Sequence, residues 1–258
     1  MNVYDLIAEQ YSELFPLETE KLDFIQCLCP LPGRLCDAGC ATGDLAVGLY
    51  QRGYSVCGLD LNAKMIGIAK RKAAAIRPSG ELTFHQADIA DIMRFGTYDG
   101  VLCFGNTLPH VPNEAALRRF FSSVYQSLHN GGAFIVEVLN YDRILAEKET
   151  DFKDKETEAF IFKRRYAFLP DGNIKFIIEF TDKRHGTVGS DFTVLHPLQR
   201  QTLLALFEQA GFQSVAFYSD YRFTESRAED YAVVYAAKKQ HTPMQSIRQN
   251  YTSMYTFS

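Results

Sequence analysis

Two hydrophobic periods alternate along the chain. Apolar positions at Val3, Tyr4, Leu6, Ile7, Tyr11, Leu14 and Phe15 recur at a mostly helical spacing. A second helix is expected from about Glu18 to Leu28, stopped by Pro30 and Pro32. A short apolar run at Arg34–Cys36 then reads as a buried strand, and Leu45-Ala46-Val47-Leu49 resumes a helical period. The exchange repeats. Strands are expected at Val56–Asp60, Leu82–His85, Asp99–Phe104 and Ala133–Leu139. Between them lie a helix capped by Asn62 and running to about Ile76, and another opened by Asn113 and Glu114 and running to His129. Gly131-Gly132 is expected to turn into the fifth strand. Strands alternating with helices predict a parallel sheet covered by helices.

Residues 158–195 change style. Phe160-x-Phe162-x-Arg164-x-Tyr166-x-Phe168 alternates strictly, Asp171-Gly172 supplies a turn before Ile174–Phe180, and a further strand is expected at Asp191–Leu195. This is an antiparallel pattern. A helix over Pro197–Gly211 ends in a glycine cap, and Phe212–Ser219 and Asp230–Lys238 are the last strands. The ten residues between those two are too few for a parallel crossover, so they should pair antiparallel. The tail from Gln240 is polar, with scattered aromatic residues and no period.

Composition narrows this picture little. A chain of 258 residues that is 47% hydrophobic can bury a full core. A net charge of -4 gives no electrostatic footprint for nucleic acid or an acidic membrane, so neither is expected as a partner. No segment resembles a signal peptide or a membrane span, and a cytoplasmic protein is expected. Of the six cysteines, Cys36, Cys57 and Cys103 fall in expected strand interiors, where a thiol acts as a small hydrophobe. Cys27-x-Cys29 and Cys36-x3-Cys40 have metal-like spacing, but no histidine cluster follows, and no metal is expected.

Candidate chemistry concentrates in Leu35-Cys36-Asp37-Ala38-Gly39-Cys40-Ala41-Thr42-Gly43-Asp44-Leu45. A strand, a turn bracketed by Gly39 and Gly43, and a helix start let backbone N–H groups approach a ligand without obstruction. Asp60, at the end of the next strand, can accept both hydroxyls of a ribose. The order Asp37-x-Gly39-x-x-x-Gly43 is not the dinucleotide fingerprint Gly-x-Gly-x-x-Gly, which disfavours a nicotinamide oxidoreductase. An acid just before the first glycine would repel a pyrophosphate but suits the ammonium of an amino-acid-bearing nucleoside.

The stretch resembles motif I of class I S-adenosylmethionine-dependent methyltransferases, usually Asp/Glu-x-Gly-x-Gly-x-Gly, with Ala41 where that family usually has glycine. Tyr4-Asp5-x-x-Ala8-x-x-Tyr11 resembles the opening of small-molecule methyltransferases, whose aromatic groups close over the cofactor. Phe104-Gly105-Asn106-Thr107-Leu108-Pro109-His110 and Asn140-Tyr141-Asp142-Arg143-Ile144-Leu145 resemble Leu-Gly-Asn-Ser-x-x-His and Asn-Tyr-Asp-x-Ile-Leu of glycine and sarcosine N-methyltransferases. The resemblance implies an α/β fold: a Rossmann-like, doubly wound sheet of seven strands whose last hairpin is antiparallel, with a small antiparallel β insertion over the active site. It divides the chain into an N-terminal helical cover (1–30), the core (31–140 and 196–239), the insertion (141–195) and the tail (240–258).

The resemblance also implies S-adenosylmethionine as cofactor, S-adenosylhomocysteine as its product, and a small-molecule acceptor whose methylated atom is an amine nitrogen. A different small metabolite, methylated at oxygen or nitrogen, and a non-catalytic S-adenosylmethionine-binding protein are the alternatives. The cofactor would be held by Tyr4, Tyr11, Asp37, Ala38, Gly39, Gly43, Asp60, Leu61 and Met65. Ala87, Asp88 and Ile89 would meet the adenine, and Phe104, Gly105 and Asn106 complete the set. Asn106, His110, Asn140, Arg164 and Tyr166 would bind the acceptor, with His110, Asn140 and Tyr11 nearest the chemistry. His110 either orients the acceptor or takes a proton, or it is a loop histidine bonded to backbone. Arg164 stands on the aromatic face of its strand, opposite to Lys163 and Arg165. It either binds an acceptor carboxylate or forms a cross-strand ion pair, for example with Glu179.

Overall fold

The computed structural model describes residues 3–76 and 81–240; the tail expected from Gln240 therefore lies, beyond that residue, outside the described residues. In chain order the strands of the main sheet are β1 (Arg34–Ala38), β2 (Ser55–Asp60), β3 (Leu82–Gln86), β4 (Tyr98–Cys103) and β5 (Leu128–Leu139). A second sheet holds β6 (Lys155–Glu156), β7 (Phe160–Phe168), β8 (Ile174–Asp182) and β9 (Thr187–Leu195), after which β10 (Val215–Tyr218) and β11 (Ala232–Lys238) return to the first. The helices are α1 (Tyr11–Leu14), α2 (Thr19–Leu28), α3 (Asp44–Gln51), α4 (Ala63–Ala75), α5 (Glu114–Ser127), α6 (Tyr141–Glu147) and α7 (Arg200–Ala210). None is long and apolar enough to cross a membrane, among the described residues.

The seven-stranded sheet has the order β10-β11-β5-β4-β1-β2-β3. Strands β1 to β5 run parallel, and β11 joins antiparallel to both β5 and β10. The expected final hairpin is therefore present. Strand β1 lies between β4 and β2, so the winding reverses there and the loops after β1 and β4 diverge to leave a crevice. Alternation along the strands builds two cores. Cys36 and Ala38 join the layer of α5 and α7 with Phe120, Phe121 and Phe207. Leu35 joins the layer of α2, α3 and α4 with Phe24, Ile25, Leu49 and Ile66. Helices on both faces make the sheet doubly wound, and all these side chains are buried.

Three stretches depart from the sequence expectation. The helix expected to reach His129 stops at Ser127: Leu128 is extended (ψ 138°) and already pairs with Tyr98, and the register shifts between Tyr98 and Gly100. Gly131 and Gly132 are no turn. They lie within β5, tied to Lys239 just beyond β11, with Gly131 at φ +84°. The N-terminal stretch is broken into 3-10 turns at Val3–Leu6 and Ala8–Gln10 ahead of the short α1. Tertiary contacts bend it: Ile7 and Leu14 pack on Phe160, Phe162 and Ile178 of the second sheet, whereas Ala8 packs on Met65 and Ile68 of α4. A straight helix cannot serve both surfaces.

Candidate active site

A cavity of about 290 Å³ opens beyond the carboxyl ends of β1, β2 and β4. The turns after β1 and β4 face each other across it, as Gly39 and Ala41 on one side and Gly105, Thr107 and His110 on the other. Tyr4 and Tyr11 cover it from the N-terminal segment, and Thr193 reaches it from β9. The N-terminal cover is latched by side chains. Ser12 and Thr42 donate to Asp44, Lys72 pairs with Asp44 at 2.7 Å, and Asn62 Nδ2 donates to Asp5 at 2.9 Å.

The floor is shaped by backbone that side chains would block. Gly39 has φ +86°, and a Cβ there would stand 2.4 Å from Thr107 Oγ1. Gly43 caps α3 at φ +79°, where a Cβ would meet Phe84 and Ala69 below 3 Å. Ala41, the departure from the family glycine, adopts φ +46°, a left-handed conformation that costs an L-residue about 1 kcal/mol or more. Its N–H donates to Asp60 Oδ2 at 2.9 Å, while Asn62 N–H donates to Oδ1 at 2.8 Å. Two backbone donors thus fix the Asp60 carboxylate at the cavity wall, and burial raises its pKa. Met65 and Leu61 line the same wall. At the far end Asp88 and Ile89 line it too, and Asp88 Oδ1 also accepts from Ala90 N–H, so this aspartate both caps a 3-10 turn and edges the cavity.

Asp37 lies one step deeper. It is 3% exposed, and Oδ2 has no hydrogen-bond partner among the described residues. Burial pushes its carboxyl up to about 7, with Lys21 the chief opposing influence. Ala38, Gly43, Phe104 and Ala87 stand behind the cavity surface rather than on it, holding strands and turns in place.

The remaining sequence candidates divide. Tyr4 Oη lies 2.9 Å from His110 Nε2. Burial pushes His110 down to about 4, and it raises the Tyr4 and Tyr11 phenols. The imidazole is therefore neutral at physiological pH and holds an extra proton poorly. Asn106, at φ +63°, accepts from Leu139 N–H and donates to Tyr141 Oη at 2.9 Å. Tyr166, also buried, bonds to the same Tyr141 hydroxyl. Asn140 is spent on the frame: its Oδ1 caps α6 through Arg143 N–H, and its Nδ2 donates to the carbonyls of Ala228 and Asp230. Asn140 and Asn106 thus position loops, and neither lines the cavity.

Arg164 resolves cleanly against its alternative. Glu179 pairs with Arg165 on the outer face of the second sheet. The Arg164 guanidinium instead lies over the rings of Phe15, Phe152 and Phe162 at 5.2–5.8 Å, with no ion pair among the described residues and a buried, unbonded Nε. Its charge acts on the phenols of Tyr4 and Tyr231. Thr193, Val111, Pro112 and Ala116 also line the cavity and carried no sequence signal, because small residues in a loop, a helix and an edge strand have no distinctive spacing.

Residues 35–132 match the family model of the methyltransferase domain. The chain is 27% identical over 215 residues to a glycine/sarcosine N-methyltransferase of Aphanothece halophytica, covering 80% of this chain and 76% of that protein. Among solved structures, the CcbJ methyltransferase from Streptomyces caelestis aligns with a TM-score of 0.80 at 20% identity, over 93% of this chain and 99% of that one. CalS10 from Micromonospora echinaspora, an amino pentose methyltransferase solved with S-adenosylmethionine bound, gives 0.66 at 18% identity, over 93% and 99%. The cavity fits such a cofactor on its own terms: Asp37 keeps an unsatisfied buried oxygen, Gly39 leaves a cradle that a Cβ would fill, and Asp60 is aimed by two backbone donors. Residues 35–132 thus match a methyltransferase domain, and the doubly wound sheet around them has the fold of class I S-adenosylmethionine-dependent methyltransferases of known structure.

Proposed function

We propose that this small-molecule methyltransferase methylates the amine nitrogen of a compact amino acid of the glycine or sarcosine kind. The observation that carries the proposal is Arg164. A guanidinium with a buried, unbonded Nε and, among the described residues, no carboxylate partner is costly unless a ligand completes it. Its planar fork matches a carboxylate. The relationship to a glycine/sarcosine N-methyltransferase supports the same reading.

S-adenosylmethionine supplies an already activated methyl group, so the chain has to align and desolvate rather than attack. Asp60 would take the ribose hydroxyls, Asp88 and Ile89 the adenine, and Asp37 with the Gly39 turn the amino-acid end. Tyr4 and Tyr11 exclude water from above, and their raised pKa values keep them as hydroxyls that can accept from an amine. Burial favours the neutral amine that the reaction requires. His110, bonded to Tyr4, keeps that cover in register.

The test is mass spectrometry of products formed from S-adenosylmethionine with pooled amino acids, amines, amino sugars and phenols. Methylated glycine or sarcosine is the expected product. Methylation of a phenol or a sugar alone, with amino acids untouched, would overturn the acceptor assignment and leave the cofactor assignment standing.

A further inference from the structure

Of the described residues that line the cavity, Thr193 alone comes from the second sheet. It stands on β9, an edge strand that is pinned near both ends against the rest of the site. Just past the strand, His196 N–H donates to the carbonyl of Pro109 at 2.8 Å. Near its start Gly189 lies under Leu6, where a Cβ would stand 2.8 Å from the Leu6 side chain. The strand thus packs on both 3-10 turns, Val3–Leu6 and Leu108–His110, whose Tyr4 and His110 are bonded to each other and line the cavity. Register fixes which way Thr193 faces. Tyr166 pairs with Phe176 and Phe176 with Thr193, one row along from Arg164, Ile178 and Asp191, so Thr193 shares the inner face with Arg164.

The Thr193 hydroxyl forms no hydrogen bond among the described residues. Val111, Pro112 and Ala116, which continue the wall from His110, have apolar side chains, and the Thr107 hydroxyl is spent on the carbonyl of Phe104. Thr193 is therefore an unspent acceptor on an otherwise apolar stretch of wall. In-line transfer aims the lone pair of an amine at the methyl carbon, so its N–H bonds must point elsewhere, and a buried N–H without an acceptor is costly. A neutral primary amine has two such bonds and a secondary amine has one. We infer that Thr193 accepts the N–H that points away from the Tyr4 and Tyr11 phenols, and so sets a preference for a primary over a secondary amine. This rests on the reading of the acceptor as a compact amino acid. A secondary amine turns its one N–H to the phenols and presents a methyl group to Thr193, which gains no bond from the hydroxyl.

Initial rates with S-adenosylmethionine and either glycine or sarcosine, for wild type, Thr193→Val and Thr193→Ser, test this. Wild type should favour glycine. Thr193→Val keeps the branched shape and removes the hydroxyl. It should lower kcat/KM for glycine about tenfold and leave sarcosine within about twofold, as expected for loss of one neutral hydrogen bond. Thr193→Ser should recover most of that loss. Calorimetry should find S-adenosylhomocysteine affinity within about twofold of wild type in both variants, whereas a loss there would make Thr193 a structural support. A glycine-to-sarcosine ratio unchanged in Thr193→Val, whether both rates fall or neither does, overturns the inference and leaves the amino-acid reading standing. If wild type methylates neither compound, the amino-acid reading fails first and the inference falls with it.

Discussion

Asp37→Asn replaces a buried carboxyl whose Oδ2 has no partner among the described residues by an amide of nearly the same shape. In the folded chain burial holds Asp37 up at about 7; in an unfolded chain it titrates near about 3.9. Between those values the folded state binds more protons than the unfolded state. Stability that is fully present below about pH 4 is therefore lost as pH rises towards 7. The gap is worth about 4 kcal/mol. Asparagine does not titrate, so the variant should match wild type near pH 4 and exceed it by about 4 kcal/mol at pH 8. His110 works in the opposite sense. Burial pushes it down to about 4, against about 6.5 unfolded, so the unfolded chain holds the extra proton and stability rises with pH across that window by about 3 kcal/mol. The two slopes oppose each other between about pH 4 and 6.5. Only the difference between variant and wild type exposes Asp37. The assay is urea unfolding followed by far-UV circular dichroism from pH 4 to 8, both proteins in the same buffers and free of cofactor. A difference that does not change with pH would refute the reasoning, because it would mean that the folded chain does not retain the proton.

Asp60→Ala removes the carboxylate fixed by Ala41 and Asn62 N–H. Calorimetry should show S-adenosylhomocysteine binding weakened by about 2–3 kcal/mol, the worth of hydrogen bonds to a charged acceptor; unchanged affinity would remove Asp60 from the site. Arg164→Ala should raise KM for an amino-acid acceptor at least tenfold and leave cofactor affinity alone, whereas unchanged acceptor kinetics would make Arg164 structural. Gly39→Ala forces a left-handed alanine against Thr107. It should cost about 2–4 kcal/mol of stability by denaturant melts, and pairing it with Thr107→Gly should return part of that loss by removing the colliding atoms. Ala41→Gly, at φ +46°, should leave stability unchanged or raise it by about 0.5 kcal/mol, since relief of the left-handed strain outweighs the entropy of the new glycine.

Much of the molecule is written in local patterns. The alternation of apolar runs with helical periods determined the parallel core. The short link between the last two strands determined their antiparallel pairing, and Gly39 and Asp60 marked the cavity wall, with Asp37 and Gly43 just behind it, because backbone conformation and strand ends are properties of neighbouring residues. Side-chain direction along one strand was legible as well: period-two alternation put Arg164 and Arg165 on opposite faces, as observed. Pairing across space was not. That Glu179 meets Arg165, that Asn140 is spent on the carbonyls of Ala228 and Asp230, and that Lys21 lies between Phe104 and Tyr221 depend on residues far apart in the chain. The N-terminal helix yielded to two packing surfaces, and helical propensity is worth only tenths of a kcal/mol per residue against such burial. The ionisation of Asp37 and His110 belongs to tertiary structure as well, since desolvation arises only when distant segments close over a group. The sequence by itself determined where the backbone of the site runs; only the folded core decided which of its polar groups remain free to meet a ligand.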